Sequence, residues 1–473
     1  MRMLNQEIIA KFYDIAGKEN VVIDEASLLA YSYDSTPQYQ AMPDAVIAPR
    51  NTQEVADIVS ICNQHKIPIV PRGSGTNLCA GTTPINGGIV LLFKHMNQIL
   101  EIDEENLTIT VQPGVFTKEI NDRVQEVGLF YPPDPGSMHI SQIGGNISEN
   151  SGGLRGLKYG VTRDYVMGLE VVLANGDIIR TGGKLAKDVA GYDLTRLIVG
   201  SEGTLGVITE ATLKLIPKPE TKKTMLALYS DLESAAESVS AIIANRIIPA
   251  TLEFLDQATL KVVEDFAQIG LPTEAKAVLL IEQDGAPEIV ERDMKKIAKL
   301  CRENGAFDVS VAKTEKEAEE LTAARRTALS ALSRLKPTTI LEDATVPRSE
   351  IANMVRAITE IADKYQLTIC TFGHAGDGNL HPTCLTDARH QEEIERVDKA
   401  FAEIFEKAIE LGGTITGEHG VGVMKLPYLH LKVGEAGLEV MRQIKKALDP
   451  NNILNPGKIF VQQHEEESRV SEQ

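Results

Sequence analysis

The sequence predicts an α+β protein built from two or three domains. Its 473 residues exceed what a single hydrophobic core organises, so a second core is required. Hydrophobic residues make up 43% and charged residues 24%, which is typical of a folded globular chain. Short strand patterns fill the first half and strand–helix–strand passes fill the second, which favours sheets packed with helices over a helical bundle.

The first elements are a helix and then a strand–helix–strand unit. Residues 8–17 have the spacing of a short amphipathic helix, and strands are predicted at 45–48 and 67–70. The helix between the strands begins at Asn51, a capping residue, and Glu54 follows three positions later. Four residues with helical spacing are predicted to form its buried face: Val55, Ile58, Val59 and Cys62.

Short strands and turns predominate between residues 80 and 180. The turn at 174–177 contains an Asn-Gly pair, and strands are predicted at 88–93, 107–111 and 169–173. The stretch 132–160 is rich in Gly, Ser, Pro and Asn and shows almost no hydrophobic periodicity. We expect a functional loop there, because strand patterns resume directly after it.

The second half begins after the segment 217–223, whose prolines and lysines indicate a domain boundary. Two β-α-β passes follow, which predicts an α+β domain with helices on one sheet face. The predicted strands are 224–229, 252–255 and 277–282, and the predicted helices are 232–245, 288–304 and 314–335. Residues from 462 onward are polar, and we expect them to be disordered.

Charge and cysteine content exclude several classes of protein. The net charge of −19 disfavours nucleic acid as a partner, because that binding needs a basic surface. Five cysteines without a C-x-x-C pair argue against a disulfide framework and against an iron–sulfur cluster. No window is apolar enough for a signal peptide or a membrane span, so we expect a cytoplasmic protein that reaches a membrane only through partners.

Three glycine-rich segments stand out. The first, 72–77, follows a strand and could cradle an anion with backbone N–H groups, although a simple turn fits equally well. It lacks the helix and the acidic residue of a Rossmann fingerprint. The second, 134–153, offers many amides and little side-chain bulk, which suits a large flat ligand better than it suits a surface linker. The third is 190–209.

Two histidines lie in the motif His374-Ala-Gly-Asp-Gly-Asn-Leu-His381, and a third lies in Gly417-Glu418-His419-Gly420. The glycines of the first motif predict a loop, which can still bring both rings together. In an extended chain, Glu418 and His419 would point to opposite sides. Two histidines and one carboxylate suit a divalent metal such as Zn, Mn or Fe, but histidines satisfied within turns remain an alternative.

The three glycine-rich segments, in this order, closely resemble the FAD-binding domain of the vanillyl-alcohol oxidase and p-cresol methylhydroxylase flavoproteins. Within that group the chain is similar to glycolate oxidase flavoprotein subunits and to FAD-linked D-lactate and D-2-hydroxyglutarate dehydrogenases. The resemblance implies an FAD-binding domain of two α+β subdomains at 39–217 and an α+β, ferredoxin-like substrate domain at 218–461. We expect a helical segment at 1–38 before them. A disordered tail at 462–473 completes the predicted division.

The resemblance also implies a set of residues that bind FAD. The loop after the first strand unit would hold the pyrophosphate, and the later segments would line the flavin and its ribityl chain. No histidine lies in that loop, so we expect FAD to be bound non-covalently. The implied residues are Arg72, Gly73, Ser74, Gly75, Thr76, Asn77, Leu78, Gly136, Ser137, Gly144, Gly145, Asn146, Asn150, Gly153, Glu202, Gly203, Ile208 and Asn455.

Carried over in the same way, His374, His381 and Glu418 are metal ligands and His419 is the catalytic base. Such a histidine would take the hydroxyl proton of a small 2-hydroxy acid while hydride moves to flavin N5. Arg325 is expected to bind the substrate carboxylate, with Arg348 as a second candidate and a solvated helix face as the alternative. The stretch 340–343 lacks the lysine that reads a distal carboxylate in the 2-hydroxyglutarate enzymes, which favours glycolate or D-lactate.

The expected partners are an electron-acceptor protein or a quinone, together with additional oxidase subunits. Two other functions stay open at this point. One is a metal-dependent hydrolase that uses the histidines without flavin, and the other is a non-catalytic subunit that keeps the FAD fold. A flavin spectrum distinguishes the first, and turnover with an artificial acceptor distinguishes the second.

Overall fold

The structure is a computed structural model that describes residues 4–460. The chain forms two compact units. The first contains residues 4–151, 161–217 and 418–460, and the second contains residues 152–160 and 218–417. The chain passes from the first unit to the second between residues 217 and 218, inside the segment 217–223 that was expected to be a boundary. Residues 418–460 lie in the first unit, although the predicted range put them in the substrate domain. Residues 152–160 lie in the second unit, although the predicted range put them in the FAD-binding domain. The predicted tail at 462–473 lies outside the described residues.

The first unit has two main sheets and a two-stranded ribbon. One sheet has the strand order Val21–Val22, Ala45–Ile47, Ile89–Leu92 and Ile69–Arg72, of which the last three are parallel. The other is antiparallel, in the order Ile99–Asp103, Thr108–Val111, Val207–Lys214, Val166–Val172 and Ile178–Gly182. The ribbon pairs Leu129–Phe130 with Ile216–Pro217. The turn predicted at 174–177 connects two neighbouring strands of the second sheet.

Helices cover the parallel strands because these strands are apolar on both faces. The helix Thr52–His65 is capped by Asn51, whose side chain accepts a hydrogen bond from the Glu54 amide, as predicted. Its four predicted core residues are fully buried. The remaining helices of the unit are Gln6–Ala16, Glu25–Leu28, Thr117–Gln125, Ile143–Glu149, Leu194–Ile198 and Leu429–Leu448, with 3-10 turns at Lys18–Asn20, Leu29–Tyr31, Thr162–Asp164 and Leu426–Tyr428.

The expectation of an irregular loop over 132–160 is wrong for part of the stretch. Residues Ile143–Glu149 form a helix, and Gly156–Tyr159 form a single helical turn. Ile143 and Ile147, four positions apart, are both fully buried, so one apolar pair is enough to fix this short helix against the sheet. The glycines hid the helical periodicity, since small residues carry no hydrophobic signal.

The second unit is organised around an eight-stranded antiparallel sheet. Its first four strands in space are Ala306–Val311, Thr221–Tyr229, Ala277–Gly285 and Thr251–Asp256, which is the four-one-three-two order of a ferredoxin-like fold. The sheet continues with Thr368–His374, Asn379–Thr386 and Thr338–Leu341, while Ala344–Thr345 pairs with the penultimate of these. The α+β, ferredoxin-like prediction is confirmed.

The helices of the second unit are Leu232–Ala244, Gln257–Ala267, Pro287–Glu303, Glu315–Arg326, Ala328–Leu332, Ile351–Tyr365 and Gln391–Glu410, with a 3-10 turn at Arg348–Glu350. The single helix predicted over 314–335 is wrong, because it is broken at Thr327. The Thr327 hydroxyl donates a hydrogen bond to the Ala324 carbonyl at 2.7 Å. This bond competes with the regular backbone hydrogen bonds of the helix.

All five cysteines are buried and free. Over residues 4–460, none of the helices combines the length and apolar character that a membrane crossing needs.

Candidate active site

A cavity in the first unit is walled largely by glycine-rich backbone. Three segments reach it: the loop after strand Ile69–Arg72, the first turn of helix Ile143–Glu149, and residues 202–208. Because glycine carries no side chain, backbone amides there can approach a ligand closely. Eight of the residues expected to bind FAD line this cavity: Arg72, Gly73, Gly144, Gly145, Glu202, Gly203, Ile208 and Asn455.

Two glycines of this region differ in what surrounds them. A Cβ added at Gly75, whose φ is +75°, would lie 2.2 Å from Nη2 of Arg72, so the loop requires glycine for its own packing. A Cβ added at Gly145 would meet nothing within 4 Å. The first turn of helix Ile143–Glu149 therefore borders open space that a side chain would fill, which is the cradle a large planar cofactor needs.

The other expected cofactor residues lie outside the cavity lining. Two of them fix backbone instead. The side-chain Oδ1 of Asn77 accepts hydrogen bonds from the amides of Cys79 (2.8 Å) and Gly81 (2.7 Å), and Oδ1 of Asn150 accepts one from the amide of Arg163 (2.9 Å). Gly153 belongs to the second unit, and the rest lie in the first: Ser74, Gly75, Thr76, Leu78, Gly136, Ser137 and Asn146.

Glu202 is a buried carboxylate bound by main-chain amides. Its two oxygens accept hydrogen bonds from the amides of Val421 and Gly422, each at 2.7 Å. Burial raises the pKa of Glu202, although these amides and the nearby Lys458 and Lys425 oppose the rise. The carboxylate thus ties residues 421–422 to the cavity wall.

Asn455 closes the same wall from the end of the described chain. Its Nδ2 donates to the carbonyls of Glu202 (2.7 Å) and Gly81 (2.9 Å). Its side chain is 2% exposed, and its backbone amide donates to the Ile69 carbonyl at 2.7 Å. The expected closing segment is therefore part of the cavity wall.

One half-buried acid in the cavity lining, Glu149, was not found from the sequence. Ligand-type atoms of Cys79, Glu149 and Glu202 lie within 4.8 Å of one another. Burial raises the pKa of Glu149 well above its usual range, and the charge of Glu202 adds to the effect. Two close carboxylates do not both ionise readily, which favours the neutral form of Glu149. The available signal was its isolation, since no other acidic residue lies between 135 and 154.

In the second unit, His374 and His381 lie on a β-hairpin formed by Thr368–His374 and Asn379–Thr386. His381 pairs with Phe372, which is two residues from His374, so all three side chains share one face. The two imidazole centroids are 5.0 Å apart, and both rings are buried. The predicted loop is confined to the turn at 375–378; the flanking residues extend as strands because their apolar neighbours are buried on the sheet.

Glu253 lies on the adjacent strand and was also missed. Its Oε1 is 2.7 Å from Nδ1 of His374, and its Oε2 is 2.6 Å from Nη2 of Arg325. Burial alone would raise the pKa of Glu253, but His374 and Arg325 outweigh it and lower the pKa. The sequence carried a signal here, because a glutamate inside the apolar strand Thr251–Asp256 must find a partner.

Arg325, the expected carboxylate anchor, is 5% exposed at the end of helix Glu315–Arg326. Its guanidinium carbon is 4.7 Å from the ring centroid of Phe372. Neither its Nε nor its Nη2 has a hydrogen-bond partner among residues 4–460, and the contact of Nη2 with Glu253 is an ion pair. Arg348, the second candidate, is exposed in a 3-10 turn and lacks such surroundings.

Glu418 and His419 belong to the first unit. Residues 417–419 form a bend, so the expectation of an extended chain with opposed side chains is wrong there. Nε2 of His419 is 3.9 Å from Oε1 of Glu418, and the His419 carbonyl accepts a hydrogen bond from the Cys79 thiol at 3.0 Å. His419 is 8% exposed, so its ring is held in a mostly dry setting.

The fold and these clusters define an oxidase that carries a dinucleotide cofactor on one unit. Residues 43–182 match the family described as FAD binding domain, and residues 218–459 match the family described as FAD linked oxidases, C-terminal domain. The chain belongs to the FAD-linked oxidases, and it is an FAD-dependent oxidoreductase. This membership decides against a metal-dependent hydrolase that works without flavin.

Relatives within the family sharpen that assignment. Over 458 residues the chain is 71% identical to the glycolate oxidase subunit GlcD of Bacillus subtilis (strain 168), with 97% of each chain covered. It is 36% identical over 444 residues to GlcD of Escherichia coli (strain K12), covering 94% of this chain and 89% of the relative. A D-lactate dehydrogenase of Anaerostipes hadrus is 37% identical over 464 residues, covering 96% and 97%.

Solved structures confirm the expected fold. A p-cresol methylhydroxylase with substrate bound has a TM-score of 0.80 at 22% identity, covering 96% of this chain and 97% of that chain. A 4-ethylphenol oxidase from Gulosibacter chungangensis has a TM-score of 0.79 at 20% identity, covering 97% and 98%. At these identities the likeness establishes the fold alone.

Proposed function

We propose that the protein oxidises a small 2-hydroxy acid, glycolate or D-lactate, to the 2-oxo acid, with FAD as the electron acceptor. The observation that carries this proposal is Arg325, a buried arginine at the end of helix Glu315–Arg326. Its Nε is unpaired among the described residues, and its guanidinium lies over Phe372 of the histidine-bearing sheet. A guanidinium is the side chain best suited to a carboxylate. The names of the relatives, glycolate oxidase subunits and D-lactate dehydrogenases, support the same substrate class.

FAD fits the glycine-lined cavity of the first unit. Gly144, Gly145 and Gly203 would present backbone to the cofactor, and Arg72 offers a cation for its pyrophosphate. The loop at 72–78 contains no histidine, so FAD is bound non-covalently. When bound, FAD supplies the acceptor for the hydride that leaves the α-carbon.

His419 is the base that removes the hydroxyl proton. A neutral imidazole accepts a proton near pH 7, which suits alcohol oxidation at physiological pH. Its partial burial limits competition from water, and the nearby Glu418 carboxylate favours the imidazolium that forms. Arg325 holds the substrate carboxylate, so the α-carbon is fixed in orientation while the proton leaves.

A divalent metal held by His374, His381 and Glu418 is part of the proposal. Two imidazoles and a carboxylate are donors suited to Zn, Mn or Fe. Within the second unit the two histidines are already close, because a ligand atom of His374 lies within 4.8 Å of one on His381. Glu253 Oε1 contacts Nδ1 of His374 and orients its ring. When bound, the ion supplies a Lewis acid that lowers the pKa of the substrate hydroxyl.

We infer that the segment 340–343 disfavours substrates with a second carboxylate. Glu342 and Asp343 are buried acids there, and Asp343 accepts a hydrogen bond from the Gly417 amide at 2.6 Å. A lysine for a second, distal carboxylate is missing from this segment. Acidic side chains would repel such a group, so monocarboxylic substrates are favoured over 2-hydroxyglutarate.

Electrons leave the reduced flavin to a partner protein or a quinone. The relatives GlcD are named as subunits, which supports additional oxidase subunits as the partners of this chain. With the acidic charge of −19, contact with an anionic membrane would depend on those partners, and we propose a cytoplasmic location otherwise.

The test is an anaerobic titration of the purified holoenzyme. The oxidised flavin spectrum is recorded, and glycolate, D-lactate, L-lactate and D-2-hydroxyglutarate are then added separately. Bleaching by glycolate or D-lactate, with L-lactate and D-2-hydroxyglutarate inert, is the expected result. A flavin that none of the four acids reduces would refute the substrate class and leave the substrate of this oxidoreductase open.

A further inference from the structure

Glu253 contacts two residues that the proposed function assigns to different ligands. One carboxylate oxygen is 2.7 Å from Nδ1 of His374 and the other is 2.6 Å from Nη2 of Arg325. Its side chain is fully buried, so water does not replace either contact. The same carboxylate therefore holds a proposed metal ligand and the proposed substrate anchor.

The strand register explains why one side chain reaches both. Phe254 pairs with Gly373 and Leu255 with Phe372, so the next position outward places Glu253 across from His374 on the same sheet face. Arg325 reaches this face from helix Glu315–Arg326 and stacks over Phe372 at 4.7 Å. The arrangement is built by three strands and one helix end, which gives the carboxylate little freedom.

We propose that Glu253 is a positioning residue that couples the metal site to the substrate-carboxylate site. By accepting the hydrogen on Nδ1 of His374, it leaves Nε2 of that ring as the lone pair available to a metal. By binding Nη2 of Arg325, it fixes the guanidinium so that Nε stays available to a carboxylate. This inference rests on the proposed function, which supplies the two ligands.

The two contacts respond differently to substitution. Glu253→Ala removes the hydrogen-bonding partner of His374 and the ion-pair partner of Arg325. Glu253→Gln keeps one carbonyl oxygen for His374 but turns an amide N–H₂ toward Arg325, where two sets of donors would face each other. The alanine variant should therefore weaken both ligands, and the glutamine variant should weaken mainly the carboxylate.

The experiment measures two ligands on the FAD-loaded protein without turnover. Mn²⁺ affinity is read from the free-ion EPR signal, and propionate, which lacks the hydroxyl, is read from the perturbed flavin spectrum. Glu253→Ala is expected to weaken Mn²⁺ by about 10- to 100-fold, as for other carboxylates that orient a metal-bound histidine, and propionate by at least about tenfold. Glu253→Gln is expected to retain Mn²⁺ within about threefold while it weakens propionate.

Asp256→Asn is the matched control, since Asp256 is a half-buried acid on the same strand whose oxygens accept from the amides of Thr259 and Thr371. It should lower stability while leaving both affinities unchanged. Wild-type affinities in Glu253→Gln for propionate, or in a folded Glu253→Ala for either ligand, would overturn the positioning role. If the wild-type protein itself binds neither probe, the proposed function fails instead.

Discussion

The glycine-lined cavity and the histidine–arginine cluster each contain a buried carboxylate, and they stabilise it in different ways. In the cavity, the carboxylate of Glu202 is bound by main-chain amides of residues 421–422. In the cluster, Glu253 is bound by two charged or polar side chains, His374 and Arg325. A site made of backbone tolerates changes of side-chain chemistry but not added volume, whereas a site made of side chains responds in the opposite way.

The largest effect that follows is on His419, which supplies chemistry beside a backbone-built site. We expect His419→Ala to retain FAD and to lower kcat by about 10²- to 10⁴-fold, because the hydroxyl proton loses its acceptor. Flavin content and single-turnover flavin reduction are the measurements. His430→Ala, an exposed histidine of the same unit, is the control. Near-normal reduction in the His419 variant would remove this residue from the mechanism.

Metal removal tests the side-chain site alone. Exhaustive chelation should lower turnover by about 100-fold or more while the flavin stays bound, since a Lewis acid contributes several kcal/mol. Visible spectra before and after chelation, combined with metal analysis, separate the two effects. Undiminished turnover in protein proved free of metal would contradict the metal proposal, and recovery on adding back Mn²⁺ or Zn²⁺ would support it.

Arg325→Lys sharpens the comparison within the cluster. The lysine keeps the charge that neutralises Glu253 but loses the forked donor, so KM for glycolate or D-lactate should rise by about 10- to 100-fold with FAD affinity unchanged. Arg348→Ala, at an exposed position, should leave KM unchanged. The reverse pattern in steady-state kinetics would move the substrate anchor to Arg348.

Gly145→Ala tests the cavity by volume. Alanine should stabilise helix Ile143–Glu149 by up to about 1 kcal/mol, and its Cβ meets no protein atom within 4 Å. It should nevertheless weaken FAD by about tenfold, because the methyl group takes space from the cofactor. Thermal unfolding of the apoprotein measures the gain in stability, and FAD fluorescence titration measures the loss of FAD affinity. Gly437→Ala, outside the cavity lining, is the control, and an unchanged FAD Kd in Gly145→Ala would place the cofactor elsewhere.

Lys458 affects neither ligand site directly, and its expected effect is on the pH dependence of stability. Burial lowers the pKa of Lys458 to about 8, against the pull of Asp34 and Glu202. An unfolded lysine titrates near pH 10.4, so the unfolded chain binds more protons between about pH 8 and 10.4. Stability should therefore rise through that window, by up to about 3 kcal/mol from this group.

Lys458→Met should flatten that rise by up to one proton, measured by urea unfolding at a series of pH values. Lys446→Met, at an exposed position, should leave the slope as in the wild-type protein. A Lys458 variant with the wild-type slope would mean that the lysine titrates normally in the folded state.

The sequence predicted elements well wherever periodicity was strong. The helix Thr52–His65, its Asn51 cap and its buried face follow directly from the spacing of apolar residues. The helix Ile143–Glu149 was missed because glycine and serine give no such spacing. The break at Thr327 was missed because a single hydroxyl decided it, which propensity does not record.

The site was predicted unevenly for a similar reason. Motifs close in sequence, such as the two histidines of the hairpin, are visible along the chain. Glu253 is 121 residues from its partner His374, and only strand register brings the two together. A charged residue within an apolar strand indicates that a partner exists, but it does not indicate which residue that partner is.

The strand Ile69–Arg72 has a consequence for how the protein is made. The Ile69 amide donates to the carbonyl of Ile453, and the Ile69 carbonyl accepts from the amide of Asn455, each at 2.7 Å. A nascent chain on the ribosome cannot close these bonds until residues 453–455 have emerged. The continuous stretch 218–417 is synthesised earlier, so the unit whose synthesis begins first is completed last. A stop codon before residue 453 would therefore deprive an early strand of its late partners.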